Sequence, residues 1–89
     1  MMRVKLPYKD YQFLKKQFDG LERYVVSTQY TLDEDKSVIL DIMSSAWPEF
    51  RLEYRSMMMR KGKDGEFLNP DGRHMADLYN IYFNNPEEF

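Results

Sequence analysis

Residues 22–43, ERYVVSTQYTLDEDKSVILDIM, carry two secondary-structure signals that compete for the same stretch of chain. In the first half Tyr24, Val26, Thr28 and Tyr30 alternate with Val25, Ser27 and Gln29. β-Branched and aromatic side chains at every second position suit an extended chain. In the second half Thr31 and Glu34 have the spacing of a capping box, in which each side chain satisfies an orphan N–H of the first helical turn. Asp33, Glu34 and Asp35 would sit at the positive end of such a helix. Val38, Ile39, Ile42, Met43 and Ala46 then follow at helical spacing. The competing reading makes Asp33–Lys36 the turn of a hairpin between strands 24–32 and 37–43, which the β-branched Val38 and Ile39 permit. The capping signal favours the helix. Residues 22–31 then form a short β element whose partner must come from elsewhere, either RVKL at 3–6 or GEFL at 65–68.

The flanking segments read as helices with clear punctuation. Before the ambiguous stretch, Tyr8, Tyr11, Leu14 and Phe18 recur at spacings of three and four, after a proline suited to a first helical position. Gly20 can end that helix in the left-handed conformation, so a helix is expected over about 7–19. After the stretch, Trp47-Pro48 stops one helix and starts another. Phe50, Tyr54, Met57, Met58 and Lys61 share its face, and Gly62 ends it. Residues 63–69 form a turn-rich loop. A last helix starts at Pro70 behind an Asn69 cap, with Met75, Leu78, Tyr79, Tyr82 and Phe83 as its apolar stripe. Asn84, Asn85 and Pro86 end it, leaving EEF as a frayed tail. The expected fold is therefore mainly α: a single domain, 1–89, built as a bundle of about four helices with a short β element at 22–31. The alternative is α+β with a small antiparallel sheet.

Composition bounds the function classes. The 89 residues include no cysteine, which removes disulfides, thiolate zinc sites and a cysteine nucleophile, and suits a reducing cytosol. The longest apolar runs fall well short of the 18 residues or more that a membrane span needs, and the first seven residues lack the apolar core of a signal peptide. A cytoplasmic protein with no membrane partner is expected. The net charge of −2 is unevenly laid out, at +3 over residues 1–23, −4 over 24–50, +4 over 51–63 and −5 over 64–89. Opposed segments facing one another explain this more simply than separate charged faces. Fourteen aromatic residues, seven of them tyrosine, favour contact with a protein partner.

Catalytic and cofactor signals are weak. No Gly-rich loop precedes a helix, and neither Asp64-Gly65 nor Asp71-Gly72 is preceded by the oxygen ligands of a calcium loop. Asp71, His74 and Asp77 stand three apart on the last helix and could poise a base or hold a divalent metal. A solvated histidine is the simpler reading. Ser44, Ser45 and Ser56 have no nucleophile-elbow motif around them. No enzyme activity, cofactor or metal is expected.

The remaining signal is SMMMRKGKDGEF, residues 56–67. Three successive helical residues lie about 100° apart, so Met57, Met58 and Met59 cannot all face one core. Met57 and Met58 fall with Phe50 and Tyr54, and Met59 points away. Exposed methionine is soft and adapts to varied partner surfaces. Arg51 and Arg55 share a helical face nearby, and Arg60, Lys61 and Lys63 follow. The plain alternative is two core methionines, a basic last turn that suits the helix dipole and a solvated loop. The leading functional expectation is a small non-enzymatic interaction or regulatory protein. It would bind another protein, or itself, through Arg51, Arg55, Met58, Met59, Arg60, Lys61 and Lys63. The alternative is a nucleic-acid-binding module using the basic 51–63 segment, against which the acidic net charge counts.

Overall fold

Strand β1, Met2–Pro7, leads directly into helix α1, Tyr8–Gln17. A short 3-10 turn at Leu21–Arg23 precedes strand β2, Val25–Tyr30, and strand β3 follows at Ser37–Ile42. A second 3-10 turn, Ser44–Ala46, opens into helix α2, Trp47–Lys61. Strands β4, Lys63–Asp64, and β5, Phe67–Leu68, form a small hairpin before helix α3, Pro70–Leu78. That helix widens into a π-type turn at Tyr79–Phe83, and strand β6, Glu87–Glu88, closes the chain. This computed structural model describes residues 1–31 and 36–89.

The expected helical bundle is overturned. The protein is α+β, with a four-stranded antiparallel sheet in the order β2-β3-β1-β6 and the separate β4–β5 hairpin. The helix expected beyond Thr31 is instead the central strand β3. Val38, Leu40 and Ile42 alternate and are all fully buried, whereas a helix would have set Leu40 apart from the other two. Thr31 is no helix cap: its N–H donates to the Ser37 carbonyl at 2.9 Å, and its hydroxyl accepts from the Ser37 N–H at 2.9 Å. The rest of the capping box and most of the alternative turn fall at 32–35, outside the described residues. The partner of β2 is β3, with Thr28 opposite Leu40 and Tyr30 opposite Val38. Neither RVKL nor GEFL pairs with it. The first pairs with the other side of β3, and the second gives β5, which pairs with β4. The tail is not frayed either, since Glu87 and Glu88 pair with Arg3 and Met2.

One face of the sheet carries the core. Val4 and Leu6 of β1 meet Leu40 and Val38 of β3, and the helices cover them with Leu14, Phe18, Phe50, Tyr54, Met57, Met75, Leu78 and Phe83. Phe50 is the centre of an aromatic cluster, with ring centroids 5.6 Å from Phe18, 5.2 Å from Trp47 and 5.5 Å from Phe83. The buried Tyr54 hydroxyl donates to the Met75 carbonyl at 2.6 Å and ties α2 to α3, and burial pushes its phenol well above the usual value. The opposite face of the sheet holds an ion pair between neighbouring strands. Arg3 Nε and Nη2 donate to the two oxygens of Asp41 at 2.8 and 3.1 Å across the β1–β3 pairing. Asp41 is only 6% exposed. The Arg3 hydrogen bonds hold its carboxyl below the ordinary aspartate range.

The α2–α3 corner is set by two glycines. A Cβ on Gly62 would come within 2.6 Å of both the Gly72 Cα and the Met58 carbonyl, and a Cβ on Gly72 would overlap the Gly62 carbonyl. Backbone therefore packs on backbone. The Asn69 N–H donates to the Gly62 carbonyl at 2.8 Å, and its side chain accepts from the Gly72 N–H at 2.8 Å, so one residue caps α3 and pins the corner.

Candidate functional site

Helix α2 is apolar on two sides. Phe50, Tyr54 and Met57 face the core. Pro48, Leu52, Arg55 and Met59 lie at i, i+4, i+7 and i+11 and so form a stripe along another side. Leu52 is 66% exposed and Met59 57% exposed. Arg51 and Arg55 join Pro48 and Leu52 around a shallow depression of about 330 Å³. Arg51 Nε donates to the Tyr79 hydroxyl at 2.6 Å, which anchors that guanidinium beside the stripe. Among the described residues Arg55 makes no hydrogen bond or ion pair. It is left with its donors toward water beside an exposed leucine.

The seven expected contact residues separate into distinct groups. Arg51, Arg55 and Met59 are exposed on α2. Met58 is half-buried against the core, and Met57 is fully inside it, so the three methionines divide as their helical spacing requires. Arg60 is turned toward its own helix, with Nη2 3.9 Å from Glu53 and Nε 3.4 Å from the Ser56 carbonyl. Lys61 reaches across to α1, where Nζ donates to the Gln17 carbonyl and to Asp19 Oδ2, each at 2.9 Å. The Lys61 ammonium satisfies a C-terminal carbonyl of α1 and holds the Asp19 carboxyl below its ordinary value. Lys63 lies in the β4–β5 hairpin, off the helix. The 51–63 segment thus contributes no single cationic face.

His74 stays partly exposed, and it finds its partners on α1. Its Nε2 lies 3.1 Å from Asp10 Oδ1, and its ring stacks on Phe13 at 4.1 Å between centroids. The contact ties α3 to α1. Among the described residues no three His, Asp or Glu side chains converge as metal ligands would. No described helix is long and apolar enough to cross a membrane.

Leu52 and Pro48 escaped the sequence reading as surface residues, although their spacing to Arg55 and Met59 was visible. Phe67, 76% exposed in the β4–β5 hairpin, escaped it too. Its only sequence sign was its place beside Asp64-Gly65. No family model, curated protein or solved structure gives a significant match to this chain.

Proposed function

We propose that this protein is a small non-enzymatic interaction module that binds a protein partner through the outer stripe of α2. One observation carries the reading: Leu52 and Met59 stand largely exposed on the same side of a helix whose other side is fully packed. Between them lies Arg55, a guanidinium with no intramolecular partner among the described residues. Apolar side chains flanked by arginine are the composition of an interface centre, where aromatic and methionine anchors and Arg are enriched and lysine is depleted. The nucleic-acid reading is weaker. Arg60 and Lys61 are engaged within the chain and Lys63 lies off the helix, so the basic 51–63 segment offers no continuous track for a phosphate backbone. A cysteine-free chain suits the reducing cytosol, where this reading places the protein.

Affinity capture from the native cells tests the proposal, using the full chain and the variants Leu52→Glu and Met59→Glu. A specific protein should be recovered with the parent chain and lost with both variants, while their thermal melts stay within a few degrees of the parent. Recovery of the same protein by all three chains would overturn the assignment to α2. Recovery of nucleic acid that survives physiological salt would overturn the functional class.

A further inference from the structure

The two edges of the main sheet are built differently. The edge at β6 is two residues long and both are glutamate. Short, charged edges are how native sheets avoid pairing with other chains. The edge at β2 is six residues long, VVSTQY, with no charge and no proline. Its one guarding device is a bulge at Val26, between the Val25 and Ser27 pairings. That bulge presents an apolar side chain, 55% exposed, where a guard would carry a charge. Among the described residues β2 pairs with β3 alone, so one row of its backbone N–H and C=O groups faces water.

We propose that a second copy of this chain pairs with β2, edge to edge and antiparallel, with Thr28 on the two-fold axis. The proposal does not depend on the α2 stripe. A two-fold axis normal to the sheet brings like faces together, and the pairing with β3 says which residues share a face. Thr28 and Tyr30 lie opposite Leu40 and Val38, on the core side. Ser27 and Gln29 lie opposite Asp41 and Ile39, on the open side. Directly opposed residues must match in face, so Ser27 cannot stand against Thr28. Centring on Thr28 sets Thr28 against itself and Ser27 against Gln29, and brings Tyr30 of one copy to the bulge at Val26 of the other. Every pair is neutral, so the strand meets its own copy with no like charges opposed. This register also brings the two exposed apolar residues of the edge near one another, Tyr30, 57% exposed, of one copy to the bulge at Val26 of the other, twice by symmetry. A register centred on Gln29 carries Tyr30 away from Val26 and onto Thr28. Tyr8, whose ring centroid is 6.0 Å from that of Tyr30, widens the seam on the core side.

The seam is short, so the dimer forms with rising concentration and is not obligate. Sedimentation of the full chain from about 1 µM to 1 mM should show monomer passing into dimer. Thr28→Lys places two ammonium groups face to face at the axis, and Thr28→Glu two carboxylates. Each alone should raise the dissociation constant about tenfold or more, and an equal mixture of the two should restore a heterodimer. Val26→Lys, at the exposed bulge, should also weaken the dimer and serves if substitution at Thr28 unfolds the chain. Met59→Glu should leave it unchanged. A parent chain that stays monomeric over the whole range would overturn the proposal and leave the edge to a strand of another protein. A dimer that survives both Thr28 variants would equally overturn it.

Discussion

The inner and outer sides of α2 carry similar apolar residues with opposite fates. On the inner side Phe50 is ringed by Phe18, Tyr24, Trp47, Tyr54 and Phe83, with all five centroids within 6.2 Å. On the outer side Leu52 and Met59 meet little of their own chain. The difference does not lie in hydrophobicity. An 89-residue chain has one core and a limited amount of surface to cover it, so a helix apolar on two sides can satisfy only one of them internally. The second side is what remains for something else to cover.

The contrast can be broken or sharpened by substitution. Phe50→Ala should cost about 3–5 kcal/mol in chemical denaturation, since the cavity would sit among five rings that cannot all collapse into it. A loss below about 1 kcal/mol would remove Phe50 from the centre of the core. Met57→Ala should cost about 2–5 kcal/mol, and Met58→Ala, half-buried, distinctly less. Equal losses at positions 57, 58 and 59 would erase the distinction between the two sides. Gly72→Ala should cost about 1–3 kcal/mol even though alanine is the better helix former, because overlap with the Gly62 backbone outweighs the gain in propensity.

A smaller effect should appear as pH dependence. The folded state holds Asp41 below its ordinary value of 3.8, so it binds that proton less readily than the unfolded chain does. The stability this confers is complete above the unfolded value and is lost as pH falls through the lower, folded one. Denaturation midpoints should therefore fall between pH 5 and pH 3 by more in the parent than in Asp41→Asn, and parallel curves would show that the Arg3–Asp41 pair adds nothing measurable. The smallest effects belong to the outer side. Leu52→Ala and Met59→Ala should each change stability by less than about 0.5 kcal/mol.

The helices were legible because their signals are local. A proline at the start of α2 and of α3 and the Asn69 cap each act within one turn of chain, and the structure has them at those places, whereas α1 ends at Gln17, before Gly20, whose left-handed backbone instead opens the 3-10 turn at Leu21–Arg23. The sheet was legible only in part: the β2–β3 pairing matches the competing hairpin between 24–32 and 37–43, and the rest was hidden for the converse reason. Val38 and Ile42 fit a helical face and a strand face equally, and the choice fell to Leu40, which only the strand places beside them. That strand is held on one side by β2, its neighbour in the chain, and on the other by β1, thirty or more residues away, and no local pattern announces a partner at the second distance. The candidate site divided along the same line. Arg51, Arg55 and Met59 could be placed from helical spacing alone. The engagement of the Lys61 ammonium depended on Asp19, and the tie between His74 and Asp10 likewise spans most of the chain.

The contact between Gly62 and Gly72 has a consequence for how this sequence can drift. A large core residue such as Phe50 has neighbours that can be exchanged for smaller or larger ones, so change there can be compensated elsewhere. The glycine corner has no such route, because both members already carry the smallest possible side chain and what each touches is backbone. Neither can change first, and no second substitution makes room for the first. In descendants of this chain the positions that stay fixed longest should be 62 and 72, the two that contribute no side chain at all, ahead of the aromatic cluster they help to close.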